Sequence, residues 1–291
     1  MAKPEIKPRT LPGFQDFLPA RASGRQRMLD TIRRVYELHG FAPLDTPALE
    51  YEEVLTGQLE SDKEIFRFRD QDDRHVALRF DLTVPLARVV GEHGQDVPRP
   101  FRRYHMAKVW REDKPKPGRF REFMQCDVDI VGVPSVQGDI EILSVMLETL
   151  SALGLQRFQV RINHRQLLTA MIERAGVDAA LTDDVLRTLD KIERLGWDTV
   201  VKLLSNAPAD KLEGIDAIPL GLARESVEQL RGFIEIGGDP AQVLESLRAY
   251  FGDFAGAQRG IDDLQAIHDA LVDQGVPAET WRFDLSIARG L

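Results

Sequence analysis

Residues 110–131 read Trp110-Arg-Glu-Asp-Lys-Pro-Lys-Pro-Gly-Arg-Phe-Arg-Glu-Phe-Met-Gln-Cys-Asp-Val-Asp-Ile-Val131. The stretch sets Lys114, Lys116, Arg119 and Arg121 in a short proline-broken loop between two strand-like runs, which is a hairpin built to hold a polyanion such as phosphate. In the returning run, alternation sends Arg119, Arg121, Phe123, Gln125, Asp127 and Asp129 to one side and Phe120, Glu122, Met124, Cys126, Val128 and Ile130 to the other. The first side is polar and the second mostly packs. Arginines at the loop end, with a glutamine and two carboxylates further along, make a floor suited to holding a phosphate and an amine together.

Outward from the hairpin, residues 1–10 read as a basic, proline-containing arm. Over 22–39, Met28, Ile32, Val35 and Tyr36 recur at helical spacing, with Gly40 placed to end the helix. The proline-marked segment 41–50 is strand-like. Further strands are predicted at 64–69, 74–80, 103–112 and 120–132, then a helix running to Leu153 and a strand over Phe158–Asn163. Hairpin-linked strands with helices on one side indicate an α+β fold with a mainly antiparallel sheet. From 166 to about 274 helical periods follow one another, broken at Gly176, Gly196 and Gly237-Gly238-Asp239-Pro240. This reads as an inserted helical subdomain. Trp281-Arg-Phe-Asp-Leu-Ser-Ile-Ala-Arg-Gly290 then returns to strand. The expected domains are 1–164, the α+β core; 165–275, the helical insertion; and 276–291, the return to the core.

A chain of 291 residues, 43% hydrophobic and 29% charged, is ordinary for a soluble globular protein with a sizeable core. Its formal net charge of −9 argues against non-specific coating of nucleic acid, while leaving room for a local basic face. One cysteine, Cys126, permits neither a disulfide framework nor a cysteine-built zinc site. No signal-peptide core and no membrane-length apolar run is present, and the expected location is cytoplasmic.

Several residues have the chemistry of a site. Arg79, Asp81 and Thr83 share a face if 78–84 is a strand, and a carboxylate beside a hydroxyl can hold an ammonium group. The same residues also fit a solvated surface pair. Cys126 points to the apolar side as a packing residue, and His105 reads as a packed strand residue. None of the six histidines pairs at i, i+3 or i+4, so no histidine-built metal helix is expected and no metal site is assigned. With neither a Gly-x-Gly-x-x-Gly run nor a Walker-type loop, a nucleotide site has to be built from arginines.

Arg111, Asp113, Gly118-Arg119, Phe123, Gln125, Asp127 and Asp129 together resemble motif 2 of the class II aminoacyl-tRNA synthetases. Leu78-Arg-Phe-Asp-Leu-Thr-Val-Pro85 is similar to the matching strand of the histidyl-tRNA synthetases within that class. Helix 22–39 and the strand after it look like motif 1, which in that class builds a homodimer interface. The resemblance runs from Leu11-Pro-Gly-Phe-Gln-Asp16 to Ala288-Arg-Gly-Leu291.

It implies a histidine–tRNA ligase that activates L-histidine with ATP, Mg2+ arriving with the nucleotide, and transfers it to tRNA(His). By resemblance Arg111 bridges the histidine carboxylate and the α-phosphate, Asp113 faces the adenine amine, and Arg119 and Arg121 lie near the phosphate tail. Asp81 and Thr83 match positions contacting the substrate amine, although many family members carry Glu in place of Asp81. Gln125 and Asp129 suit the α-amino group and imidazole of histidine, with Asp127 in support. Arg289 matches an arginine near the α-phosphate. Strict alternation would put Arg289 on the apolar side with Phe283, Leu285 and Ile287, so the strand has to break before it. Family members continue past the position of Leu291 into a tyrosine segment, motif 3 and an anticodon-binding domain. The span is therefore expected to be truncated before motif 3 and inactive alone. The alternative is the synthetase-like regulatory subunit of ATP phosphoribosyltransferase, which belongs to histidine biosynthesis.

Overall fold

The computed structural model describes residues 7–57, 65–205 and 219–288. Two compact units divide between Leu155 and Gln156.

The first unit opens with helix α1, Pro19–Leu38, where proline at the first turn costs no hydrogen bond. The helix closes at Gly40, whose φ of +75° suits a residue without Cβ. The chain continues through strand β1, Ala42–Pro43, strand β2, Leu49–Tyr51, and the short helix α2, Glu52–Thr56. Strand β3, Arg67–Arg69, and strand β4, His75–Leu78, then complete an antiparallel sheet in the order β2-β4-β3. Helix α3 spans Thr83–His93.

The second sheet of this unit is centred on the ten-residue strand β5, Phe101–Trp110, which pairs antiparallel with the ten-residue strand β6, Glu122–Val131, and parallel with β1. Helix α4, Val136–Ala152, follows. The apolar side of this sheet packs as its alternation predicts. Tyr36 from α1, Phe41, Tyr104 from β5 and Val145 from α4 form a buried cluster, and Met106, Cys126, Val128 and Ile130 pack on it. Burying a side chain of this size contributes about 1.5–3 kcal/mol. The Tyr36 hydroxyl donates to the Cys126 carbonyl at 3.1 Å, tying α1 to β6. Val35 and Tyr36 are buried on the expected helix face, whereas Met28 stands exposed.

The second unit begins with strand β7, Val160–Ile162, and helix α5, Arg165–Arg174. It continues through helices α6, Thr182–Leu189, α7, Ile192–Leu195, and α8, Trp197–Leu204. After them come α9, Arg224–Ile234, α10, Pro240–Phe251, α11, Ala255–Asp273, and strand β8, Trp281–Phe283, parallel to β7. Helix α10 starts on a capping box: Asp239 accepts from the Gln242 amide, the Gln242 side chain accepts from the Asp239 amide, and Pro240 sits in the first turn. Gly260 lets α11 approach α5 closely, since a Cβ there would lie 2.8 Å from Leu167 Cγ.

Candidate amino-acid and phosphate site

The pairing register of β5 and β6 decides which side chains meet. Arg103 stands opposite Asp129, His105 opposite Asp127 and Ala107 opposite Gln125, so all share the face away from the Tyr36 cluster. The alternation expected for Phe123, Gln125, Asp127 and Asp129 is present in this register. Arg119 and Arg121 precede β6 and belong to the loop, where Lys116 and Arg119 pair backbone to backbone.

Arg103 is fully buried on this face. Its Nη2 donates to the Leu82 carbonyl at 3.0 Å and lies 2.8 Å from Asp129 Oδ2. That contact is an ion pair set off the hydrogen-bond direction, for Asp129 Oδ2 has no hydrogen-bond partner, nor do Arg103 Nε and Nη1. Gln125 donates from Nε2 to Asp127 Oδ2 at 3.1 Å, while its own Oε1 is buried without a partner. Burial pushes the Asp127 carboxyl up to about 6, against the opposing pull of Arg103, and raises Asp129 for the same reason. His105 is driven down to about 4, first by burial and then by Arg79 and Arg103. An unpartnered buried polar atom costs about 1–3 kcal/mol. Several in one patch mark a surface shaped for polar ligand groups.

Arg111 follows β5 directly. Its Nε donates to the Phe80 carbonyl at 3.0 Å and its guanidinium lies 5.1 Å from the Phe123 ring centre, so one edge is anchored and the plane supported. Asp113 accepts from Arg119 Nε at 2.8 Å and from its Nη2 at 2.6 Å, and Arg121 Nε donates to the Asp113 carbonyl at 2.8 Å. The hairpin is pinned from outside by Gly13: its carbonyl accepts from the Arg121 amide at 2.8 Å, and a Cβ on it would sit 2.7 Å from Arg121 Cγ.

The shared strand face expected for Arg79, Asp81 and Thr83 is not present. Strand β4 ends at Leu78 and Thr83 opens α3 behind the N-cap Leu82; the Asp81 carboxylate, one residue earlier, accepts from the Val84 amide at 3.2 Å, and Pro85 is tolerated in a first helical turn. Arg79 turns inward and donates to the carbonyls of Thr46, Pro47 and Lys108. Asp81 still lies close enough to Arg103 and Asp127 to act on their charges, while Thr83 is exposed. Cys126 packs on the apolar side, and burial lifts its thiol to about 11. Strand β8 ends at Phe283, so alternation does not carry through to Arg289, which lies outside the described residues.

Arg103 and His105 are the polar residues of this face that the reading of the hairpin alone did not find. Their signal is the parity of β5, which becomes legible only when its pairing with β6 is known. Among the described residues no group of three or more His, Cys, Asp or Glu side chains could hold a metal. No described helix is long and apolar enough to cross a membrane.

The family model for histidyl-tRNA synthetase matches residues 13–291. The chain belongs to the histidyl-tRNA synthetase family. It is 40% identical over 289 residues to the histidine–tRNA ligase of Rhodopirellula baltica, covering 98% of this chain and 62% of the relative. The crystal structure of histidyl-tRNA synthetase from Nostoc sp. PCC 7120 superposes with a TM-score of 0.83 at 32% identity, over 99% of this chain and 63% of that one. A protein from Bacillus halodurans C described as an ATP phosphoribosyltransferase regulatory subunit/histidyl-tRNA synthetase shares the fold, with a TM-score of 0.80 at 24% identity over 98% of this chain and 70% of that one. The α+β class expected from the strand pattern is the fold of this histidyl-tRNA synthetase family. The chain thus spans a little under two thirds of the length of the Rhodopirellula and Nostoc relatives.

Proposed function

We propose that this chain carries the histidine-activating part of a histidine–tRNA ligase. In the reaction, a carboxylate oxygen of L-histidine attacks the α-phosphorus of ATP, the bond to the bridging oxygen breaks, pyrophosphate leaves with its Mg2+, and the adenylate then passes histidine to tRNA(His). The observation that carries this reading is the side-by-side placement of a carboxylate- and amide-lined floor with unpartnered polar atoms and an arginine hairpin anchored at Arg111. Asp81, Thr83, Gln125, Asp129 and Arg289 are assigned to the amino acid. Asp113, Arg119 and Arg121 are assigned to ATP. Arg111 and Arg289 are the catalytic cations, because a planar guanidinium can bridge two anions as charge develops between them.

A homodimer through α1 and the segment after it is part of the proposal, supported by the exposed Leu18, Met28 and Leu38. So is a cytoplasmic location. The regulatory-subunit reading keeps the same fold and predicts histidine binding without exchange, so one assay separates the two.

That assay is histidine-dependent exchange of pyrophosphate into ATP by the complete gene product. Arg111→Ala should lower the rate by about 100-fold or more, as loss of a preorganised charge at a developing anion does. An unchanged rate would remove Arg111 from the chemistry. Asp129→Ala should raise KM for histidine far more than KM for ATP, since a site built on polar partners rejects ligands that leave them unpaired. Equal effects on both constants would displace Asp129 from the amino-acid pocket.

A further inference from the structure

The sheet floor holds one cation among several acids, and that cation has no role in the assignments above. Arg103 is wholly buried, and its Nη2 reaches both the Leu82 carbonyl at 3.0 Å and Asp129 Oδ2 at 2.8 Å. Its Nε and Nη1 are buried without partners. Burying a guanidinium is unfavourable unless nearby anions and hydrogen bonds offset the loss. The groups around it are Asp127 and Asp129 from β6, His105 from β5 and Asp81 ahead of α3. Arg79 and Asp45 act on His105 from behind, and Tyr36 and Cys126 lie on the far side of the sheet.

We infer that Arg103 is a positioning residue for the amino-acid pocket, holding Asp129 and Asp127 ionised and aimed for a cationic amino acid. The inference rests on the histidine-activating reading. With Arg103 in place, three carboxylates face one guanidinium, and the surplus negative charge attracts an α-ammonium group. Without it, burial and mutual repulsion drive protons onto Asp127 and Asp129, and the floor becomes neutral. Arg103 already opposes the upward push of burial on both carboxyls, with Asp127 standing at about 6. An opposite charge at such range holds a carboxyl down by about 1–3 pH units. Its removal should carry the titration of both groups through neutral pH.

The test uses Arg103→Gln, which keeps a donor for the Leu82 carbonyl but loses the charge, and Arg103→Lys, which keeps the charge but loses the fork. KM for histidine is measured in pyrophosphate exchange from pH 6 to 9, beside carboxyl 13C titration of the ligand-free protein. The titration of the substrate's own imidazole is common to all three proteins. For Arg103→Gln, KM at pH 7 should rise about tenfold or more and return to within about threefold of the unmodified protein at pH 9, with the two Asp signals titrating at higher pH. Arg103→Lys should keep the original pH profile. A lost packing contact would raise KM equally at every pH. The inference is overturned by a flat rise in Arg103→Gln, by carboxyl signals that do not move, or by a Lys variant displaced as far as the Gln variant. If Arg103→Gln does not fold, an Arg103→Lys variant whose KM profile or carboxyl titrations move away from those of the unmodified protein overturns the inference. If the unmodified protein shows no histidine-dependent exchange, the functional reading fails, and the inference that rests on it fails too, while the carboxyl titration still reports separately whether Arg103 holds the acids ionised.

Discussion

At the scale of single residues, the half-buried acids of the sheet floor oppose stability. Asp127 titrates near 6 in the folded chain against about 4 when unfolded, so the folded state binds the extra proton. Its contribution to stability is therefore present below about pH 4 and lost as pH rises through 6. Asp127→Asn keeps an oxygen to accept from Gln125 and removes the charge. The variant should be more stable than the parent at pH 8 by on the order of 2 kcal/mol, with the gap closing below pH 4. Thermal melts across that range check it, and an Asn variant that is less stable at pH 8 would contradict the burial of a charged Asp127. Asp284 behaves in the opposite sense. Hydrogen bonds from Ser286 and Arg161 outweigh its burial and hold it at about 2, so its contribution is present above about pH 4 and fades as pH falls towards 2.

At the scale of elements, glycines in helices separate packing from propensity. Gly24 in α1 would place a Cβ no closer than 3.8 Å to Arg27, so Gly24→Ala should stabilise by about 0.5–1 kcal/mol through helix propensity. Gly260 in α11 would place one 2.8 Å from buried Leu167 and 3.1 Å from His164, where overpacking costs about 1–3 kcal/mol. Gly260→Ala should lower the melting temperature while Gly24→Ala raises it. Equal gains would mean α5 and α11 pack less closely than described. Local signals made some elements legible in advance. Gly237-Gly238-Asp239-Pro240 announced the start of α10, and the alternation of 122–131 announced both faces of β6. The break between α6 and α7 near Asp190 carries no glycine or proline, so the sequence showed no break between Gly176 and Gly196 there. The face expected for Arg79, Asp81 and Thr83 assumed a continuous strand, whereas the chain turns after Leu78 and Thr83 opens α3, with Asp81 accepting from the Val84 amide. The partners of the site strand were hidden for another reason: the loop between β5 and β6 is too long to set their register, which came from burying Tyr104 and Cys126 together.

For the whole molecule, β7 and β8 lie side by side, with Ile162 paired to Phe283. The helical stretch proposed as an insertion, 165–275, thus leaves the parallel pair beyond Ile162 and rejoins it ahead of Trp281, at the other end of the pair. A glycine–serine linker of about a dozen residues or more can cross back between such ends. On the proposed function, with Arg187, Lys191 and Arg194 as its candidate phosphate contacts, we expect its replacement in the complete gene product to weaken charging of tRNA(His) by about tenfold or more while pyrophosphate exchange persists. Comparing the two rates at low and moderate salt checks this. Equal loss of both reactions would make the stretch a folding element.

The same strand pair also sets a clock on biosynthesis. When β7 leaves the ribosome, its partner is still roughly 120 residues from being made, an interval on the order of ten seconds at ordinary elongation rates. Closing so long a loop is entropically slow. The helices between them, with their own buried leucines and the capping box of α10, can consolidate during the wait, and β8 then meets a nascent chain whose intervening helices are already packed. Slowing translation just after Asp273 should therefore help folding, while slowing it between β7 and α5 should leave β7 exposed to the wrong partner for longer.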